Sequence, residues 1–194
     1  ALLHYFPQAR NFFEIGCGTG FVLSGIEREF PQLLLWGSEV YSAGLAYAAE
    51  RIHAATLVQM DARKIPFEKE FDVICAFDVL EHIEEDEHVL KELYRALRPG
   101  GGVLLSVPQH RFLWSRADEI SFHKRRYRRG ELESRCRKAK LEIIYSTSFV
   151  TSLLPLMLLH HHNFADSCAG LAFVTNAGFD TTLSGFIDDV AGGR

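Results

Sequence analysis

The residues of this chain best suited to chemistry sit where apolar runs stop. Asn11-Phe-Phe-Glu-Ile15 leads into Gly16-Cys-Gly-Thr-Gly20, and an amphipathic segment from Phe21 to Phe30 follows. That pattern fits a buried strand, a tight glycine turn and a helix. Such a turn lets backbone approach a ligand closely. The helix N-terminus behind it offers unpaired N–H groups to a carboxylate or phosphate. Acids end the next apolar runs: Glu39 lies just beyond Leu33–Gly37, Asp61 follows Thr56–Met60, and Asp78 follows Phe71–Phe77. An ionised carboxylate only accepts hydrogen bonds, so these acids suit hydroxyls, amino groups and cationic centres. A nucleotide-like ligand at the end of the first strand is the first expectation.

The glycine spacing narrows the ligand. A dinucleotide fingerprint needs a small residue at its third glycine position for close helix–strand packing. Here that position is Phe21, which argues against NAD or FAD and against a nicotinamide oxidoreductase. No Gly-Lys-Ser/Thr follows Gly20, so a phosphate-gripping P-loop is excluded as well.

What remains, Glu14-Ile-Gly-Cys-Gly-Thr-Gly20, resembles the first motif of the class I S-adenosylmethionine-dependent methyltransferases. The resemblance extends through Glu39, Met60-Asp-Ala62, Phe71-Asp-Val-Ile74, Val79-Leu-Glu-His-Ile83 and Leu97-Arg-Pro-Gly-Gly101, from Asn11 to about Ser146. It implies a Rossmann-like, doubly wound α/β fold. The sheet would be mostly parallel and seven-stranded, its last strand antiparallel, with helices on both faces. It also implies S-adenosylmethionine contacts at Glu14, Gly16, Cys17, Gly18, Gly20, Glu39, Asp61, Ala62 and Asp78. Glu39 would accept from both ribose hydroxyls, and Asp61 from the adenine amino group, with the Ala62 N–H on a ring nitrogen. Glu14 would meet the ammonium of the methionine part, and Asp78 would lie near the sulfonium. Cys17 as a nucleophile is the weaker alternative to Cys17 as a small filler in the turn.

The acceptor is constrained mainly by exclusion. Amino-directed DNA methyltransferases carry Asn/Asp-Pro-Pro-Tyr after strand four, where this chain reads Asp78-Val-Leu-Glu81. The Val-Leu-Glu-His-Ile run is similar to the small-molecule branch of the family. His82 is the nearest titratable base to the expected methyl, and histidine titrates near working pH; a packing or capping role competes for it. After strand five comes Trp114-Ser-Arg-Ala-Asp-Glu-Ile-Ser-Phe-His-Lys-Arg-Arg-Tyr-Arg-Arg129. Its His123, Arg126 and Tyr127 resemble a His-x-x-Arg-Tyr signature of some of these enzymes, so Trp114, His123, Arg126 and Tyr127 are candidate acceptor-pocket residues. Arginine grips phosphate or carboxylate bidentately, which points to a small, anionic acceptor. The cluster as a whole reads more simply as a solvated basic face. It lacks interleaved aromatics for stacking nucleic-acid bases. A non-catalytic relative that binds the cofactor or a partner protein is the alternative, prompted by the lack of an unmistakable base.

The elements that must position these residues alternate. Strands are expected at 11–15, 33–37, 56–60, 71–77, 103–107 and 141–146. Helices are expected at 19–30, 41–52, 84–97 and near 131–139. Alternating strands and helices give a parallel sheet, whose ligands sit beyond the carboxyl ends of the strands. At 194 residues, 47% hydrophobic and 24% charged, the chain suits one domain over 1–194 with its core at 11–146. A net charge of -4 gives no general pull toward nucleic acid or anionic membrane. Cys17, Cys75, Cys136 and Cys168 are too widely spaced for a zinc site or a disulfide framework and fit a reducing cytoplasm. No metal is expected. Phe149–Leu159 is too short to span a bilayer, which takes about 20 apolar residues, so it reads as a buried or lid segment. His160-His-His162 reads as a metal tract, a tag-like remnant or ordinary surface, with no role favoured; 169–175 reads as a last strand, and 177–194 as either a divergent tail or a stretch that does not continue the native chain. Because the chain opens at Ala1-Leu-Leu-His close to the first strand, an N-terminal lid helix is expected to lie outside this sequence.

Overall fold

The computed structural model describes residues 2–148 and 169–176, with side chains over 4–148. The expectations for Phe149–Leu159, His160–His162, Cys168 and 177–194 lie outside the described residues. The elements run α1 (Leu2–Tyr5), β1 (Asn11–Ile15), α2 (Phe21–Glu29), β2 (Leu34–Glu39), α3 (Ser42–Arg51), β3 (Thr56–Gln59) and β4 (Phe71–Phe77). They continue with α4 (Asp86–Ala96), β5 (Leu97–Pro108), α5 (Arg116–Ile120), α6 (Glu131–Lys138), β6 (Leu141–Ser148) and β7 (Ala169–Asn176). Short 3-10 turns fall at Leu80–His82 and Arg111–Leu113.

The sheet order is β3-β2-β1-β4-β5-β7-β6. Strands β1 to β5 pair in parallel, while β7 runs antiparallel to both β5 and β6. Strand order reverses between β1 and β4, the two strands whose ends face the glycine turn. The α/β Rossmann-like layering follows from strand periodicity. Successive side chains point to opposite faces, so Phe12, Val73, Cys75 and Leu104 join the core under α2 and α3. Phe13, Ile74, Ala76 and Leu105 join the one under α4 and α6. Both faces of β1 and β4 are covered, which is why their sequences are nearly unbroken apolar runs.

The helices close these faces for local reasons. α4 carries Asp86 and Glu87 in its first turn and Arg95 in its last, matching its dipole. It buries Val89, Leu90, Leu93 and Ala96 completely. Each of its larger apolar side chains is worth about 1.5–3 kcal/mol on burial. α2 begins after Gly20, whose φ of 76° is left-handed, and ends at Phe30 ahead of Pro31. The sheet's lower edge is tied by Asp72, which accepts the backbone N–H groups of Arg10 and Asn11 at 2.9 and 2.8 Å and pairs with Arg98.

Beyond shifts of a residue or two at element ends, two regions differ from the sequence reading. Pro99-Gly-Gly-Gly102 separates nothing: β5 starts at Leu97 and absorbs the glycines through a shift of register between Phe71 and Val73 on β4. Gly101 allows this, because a Cβ there would stand 2.8 Å from the Asp72 carbonyl oxygen. The basic segment after β5 is not a plain loop either. It holds α5, opened by a capping box in which Ser115 accepts the Ala117 N–H and Asp118 accepts the Ser115 N–H. Five residues are too few for helical periodicity to show in the sequence.

Candidate active site

The rim is built first by the glycine turn. The Cys17 N–H donates to the Ser38 carbonyl at 2.8 Å, and the Gly20 N–H to the Cys17 carbonyl at 2.8 Å, so the turn hangs on both β2 and itself. Gly16 has φ +69°, and a Cβ there would stand 2.6 Å from Val79 Cγ2. The turn therefore approaches the segment after β4 more closely than any side chain permits. Cys17 is buried, and burial beside Glu14 and Glu39 pushes its thiol up to about 12. It stays a thiol, which makes it a poor nucleophile.

Glu39 is the last residue of β2 rather than the residue beyond it. Its Oε2 accepts the Gly18 N–H at 3.0 Å, and its Oε1 accepts the Val40 and Tyr41 N–H groups at 2.8 and 3.1 Å. The carboxylate thus locks the turn to the start of α3. Each oxygen carries two lone pairs, so Oε2 keeps acceptor capacity toward the rim.

Glu14 is almost wholly buried, and its Oε2 has no hydrogen-bond partner. Desolvation raises its carboxyl to about 7, against the lowering effect of the Leu23 backbone. A buried acid with an unused oxygen is expensive unless something cationic completes it. Asp61 instead already has a partner: the Arg63 side chain meets both its oxygens at 2.7–3.0 Å, and that contact holds its carboxyl below the usual range. Ala62 beside it is buried. Asp78 takes a left-handed φ of 54° and accepts the Ser106 hydroxyl at 3.0 Å, while its N–H donates to the Ser106 carbonyl. Aspartate tolerates that backbone better than most residues.

On the other side lies the post-β5 segment. His123 Nδ1 is 2.9 Å from Asp118 Oδ1, and Asp118 Oδ1 also accepts from Arg126 Nε at 2.7 Å. Asp118 is fully buried, and its carboxyl stays below the usual range because Arg126, Ser115 and His123 outweigh desolvation. The His82 ring stands edge-on to His123, centroids 4.7 Å apart. Burial, then the neighbouring His123, lowers the pKa of His82. The Lys124 N–H donates to the Glu81 carbonyl at 2.7 Å, pinning this segment to the turn after β4.

The acceptor-gripping roles expected of Arg126 and Tyr127 do not fit these surroundings. Arg126 is buried, its Nε committed to Asp118 and its Nη1 3.4 Å from the Gln109 carbonyl. Tyr127 is also buried; its hydroxyl donates to Asp86 at 2.6 Å under the guanidinium of Arg135. Both are internal struts, Arg126 braced on buried Asp118 and Tyr127 on Asp86 at the start of α4. Trp114 remains partly exposed, and His123 remains beside His82. Sequence reasoning gave no role to Glu81 or Asp118. Glu81 is fully buried with both carboxylate oxygens unpartnered. The Ser115-x-x-Asp118 spacing was the available signal for Asp118; none marked Glu81.

Residues 13–105 match the methyltransferase domain family. The malonyl-(acyl-carrier protein) O-methyltransferase of Priestia megaterium is 25% identical over 106 residues, covering 54% of this chain and 39% of that protein. The trans-aconitate 2-methyltransferase of Variovorax paradoxus is 30% identical over 106 residues, covering 54% of this chain and 41% of that one. The chain therefore spans about two fifths of the length of these curated relatives. Among solved structures, phosphoethanolamine N-methyltransferase 2 of Haemonchus contortus, in complex with S-adenosyl-L-methionine, has a TM-score of 0.72 at 20% identity, covering 90% of this chain and 51% of that chain. At that identity the likeness concerns the fold. Together with the ordered strand-end motifs, the matching domain and the methyltransferase relatives support the class I S-adenosylmethionine-dependent methyltransferase family.

Proposed function

We propose that this chain binds S-adenosyl-L-methionine at the carboxyl ends of β1 to β4 and transfers its methyl group to a small, anionic acceptor. The observation that carries the reading is Glu14, whose buried Oε2 lacks a partner beside the glycine turn. A cationic amino group is the chemistry that completes it. Bound there, the cofactor supplies an electrophilic methyl on a sulfonium. The residues that would hold it are Glu14 at the ammonium, Gly16 to Gly20 along the methionine part, Glu39 at the ribose, Asp61 and Ala62 at the adenine, and Asp78 near the sulfonium. Methyl displacement needs little covalent help, and holding nucleophile and methyl in line can supply about 7–11 kcal/mol.

His82 is the group placed to take a proton where the acceptor must lose one, since its lowered pKa keeps the ring neutral. Trp114 and His123 border the acceptor side. The named relatives act on a malonyl group on a carrier protein and on trans-aconitate, which supports a small-molecule acceptor rather than a nucleic acid. No helix among the described residues is long and apolar enough to cross a membrane. Cys17, Cys75 and Cys136, all buried and unpaired, suit the cytoplasm.

Calorimetric titration with S-adenosylhomocysteine, with NADH as control, tests the reading. Binding of the former alone is expected. Glu14→Gln should lower its affinity at least about tenfold, since a hydrogen bond to a charged group is worth about 1.5–3 kcal/mol. Binding of NADH, or an unchanged affinity in the variant, would sink it.

A further inference from the structure

Glu81, His82 and His123 come from two separated stretches, yet their ligating atoms all lie within 4.8 Å of one another. Glu81 is fully buried, with neither carboxylate oxygen hydrogen-bonded. Its Oε1 stands 4.0 Å from His123 Nε2. We propose that these three side chains form a site for a divalent transition-metal ion, at the junction between the cofactor rim and the acceptor side.

Four features support it. A carboxylate with two imidazoles is a donor set suited to zinc, iron, cobalt and their neighbours. His123 is oriented as metal-bound histidines are: Asp118 accepts from Nδ1 at 2.9 Å, which leaves the Nε2 lone pair directed away from Asp118. Asp118 is itself fixed by Arg126 and Ser115, so the ring has a rigid support. Metal ligands of these types stand about 2.0–2.2 Å from the ion, so atoms spaced like these close around one with small side-chain adjustments. Finally, burial first, then the Asp78 and Asp118 charges, hold the Glu81 carboxyl up against the lowering effect of Arg126, so a cation would offset the burial and complete an empty carboxylate. The role follows from the place. The ion would hold an anionic oxygen of the acceptor. With the ion bound, the His82 lone pair is coordinated and cannot take a proton, so the ion replaces the base role given to His82. Ion binding itself stands apart from the methyltransferase reading, and only the ion's role toward the acceptor rests on it.

The test is a titration of the chelator-stripped chain with Co2+, read by its visible absorption, with Zn2+ as competitor. His160-His-His162 is a second place for such ions, so the chain with these three histidines changed to alanine is run in parallel. We expect one equivalent bound by the triple-alanine chain, with affinity reduced more than tenfold when Glu81→Gln or His123→Gln is added to it. His53→Gln, an exposed histidine elsewhere, should leave it unchanged. Far-ultraviolet dichroism confirms that each variant is folded. No Co2+ bound by the triple-alanine chain, or equal affinity in Glu81→Gln, overturns the site. A chain that binds S-adenosylhomocysteine but no Co2+ refutes this proposal alone; one that binds Co2+ but no S-adenosylhomocysteine supports it and refutes the cofactor reading.

Discussion

The two sides of the site handle their charges in opposite ways. On the cofactor rim, acids near strand ends are met mostly by neutral groups or left open: Glu39 by three backbone N–H groups, Asp78 by the Ser106 hydroxyl, and Glu14 by nothing at its Oε2. Behind the acceptor side, acids are buried and met by cations: Asp118 by Arg126, and Asp86 by Arg125 and Arg135. A rim built from neutral donors and open lone pairs is prepared for a ligand that brings its own positive charge. A wall built from closed ion pairs is prepared to hold a shape. Glu81 breaks the contrast, being buried like the wall acids but, like Glu14 Oε2, without a hydrogen bond to its carboxylate oxygens, the His123 Nε2 standing 4.0 Å away.

The largest expected effect breaks the wall. Removing one partner of a buried pair strands the other charge and costs about 3–5 kcal/mol. Arg126→Ala should therefore lower stability by that order in urea denaturation. Glu39→Ala should cost far less stability while weakening S-adenosylhomocysteine binding clearly. A loss below about 1 kcal/mol for Arg126→Ala would return Arg126 to the acceptor-gripping role.

Next comes the pH response of the unpaired acid. Desolvation, then the Asp78 charge, raises the Glu81 carboxyl from 4.5 to about 8. The folded chain then binds this proton more tightly than the unfolded one, so its stabilising contribution is complete below pH 4.5 and is lost as pH rises through about 8. In chelator-treated protein, Glu81→Gln should match the parent near pH 4.5 and exceed it near pH 8 by on the order of 2–4 kcal/mol. Thermal unfolding across that window checks the sign. A parent whose stability does not decline relative to the variant would mean Glu81 has a cation that offsets its burial. Glu14, raised to about 7 by the same cause, should behave alike over a narrower window.

These differences track what a sequence can carry. The rim was legible because each of its parts ends an apolar run: Glu14 to Gly20, Glu39, Asp61 and Asp78 all stand where a strand stops. The alternation of strands and helices was legible for the same reason, from periods of two and 3.6. The acceptor side was not. Asp118, His123 and Arg126 meet through side-chain contacts within a segment too irregular for periodicity, and Glu81 lies some forty positions upstream of them. A basic run looked exposed because charge usually is. Burial of Arg126 and Tyr127 depended on buried acids, Asp118 and Asp86, that face them only once the chain is folded.

A smaller effect sharpens the rim. Gly16→Ala places a methyl 2.6 Å from Val79 Cγ2 at a φ of +69° and should cost about 1–3 kcal/mol. Combining it with Val79→Ala removes the clash but not the backbone strain, so chemical denaturation should show partial recovery. Full recovery would mean that the left-handed backbone at Gly16 costs nothing.

The smallest effect concerns Asp61, the one rim acid held by a cation as the wall acids are. Its pair with Arg63 differs from theirs in exposure, the two side chains being 33% and 46% accessible. Such pairs are worth about 0–1 kcal/mol, so Arg63→Ala should hardly change unfolding. It also releases carboxylate oxygens that the guanidinium occupies, leaving them to an adenine amino group. S-adenosylhomocysteine should therefore bind the Arg63→Ala chain at least as well as the parent, while Asp61→Ala binds it more weakly. A comparable loss in both variants would show that Arg63 orients Asp61 for the ligand, and that this corner of the rim is organised by a charge pair as the wall is.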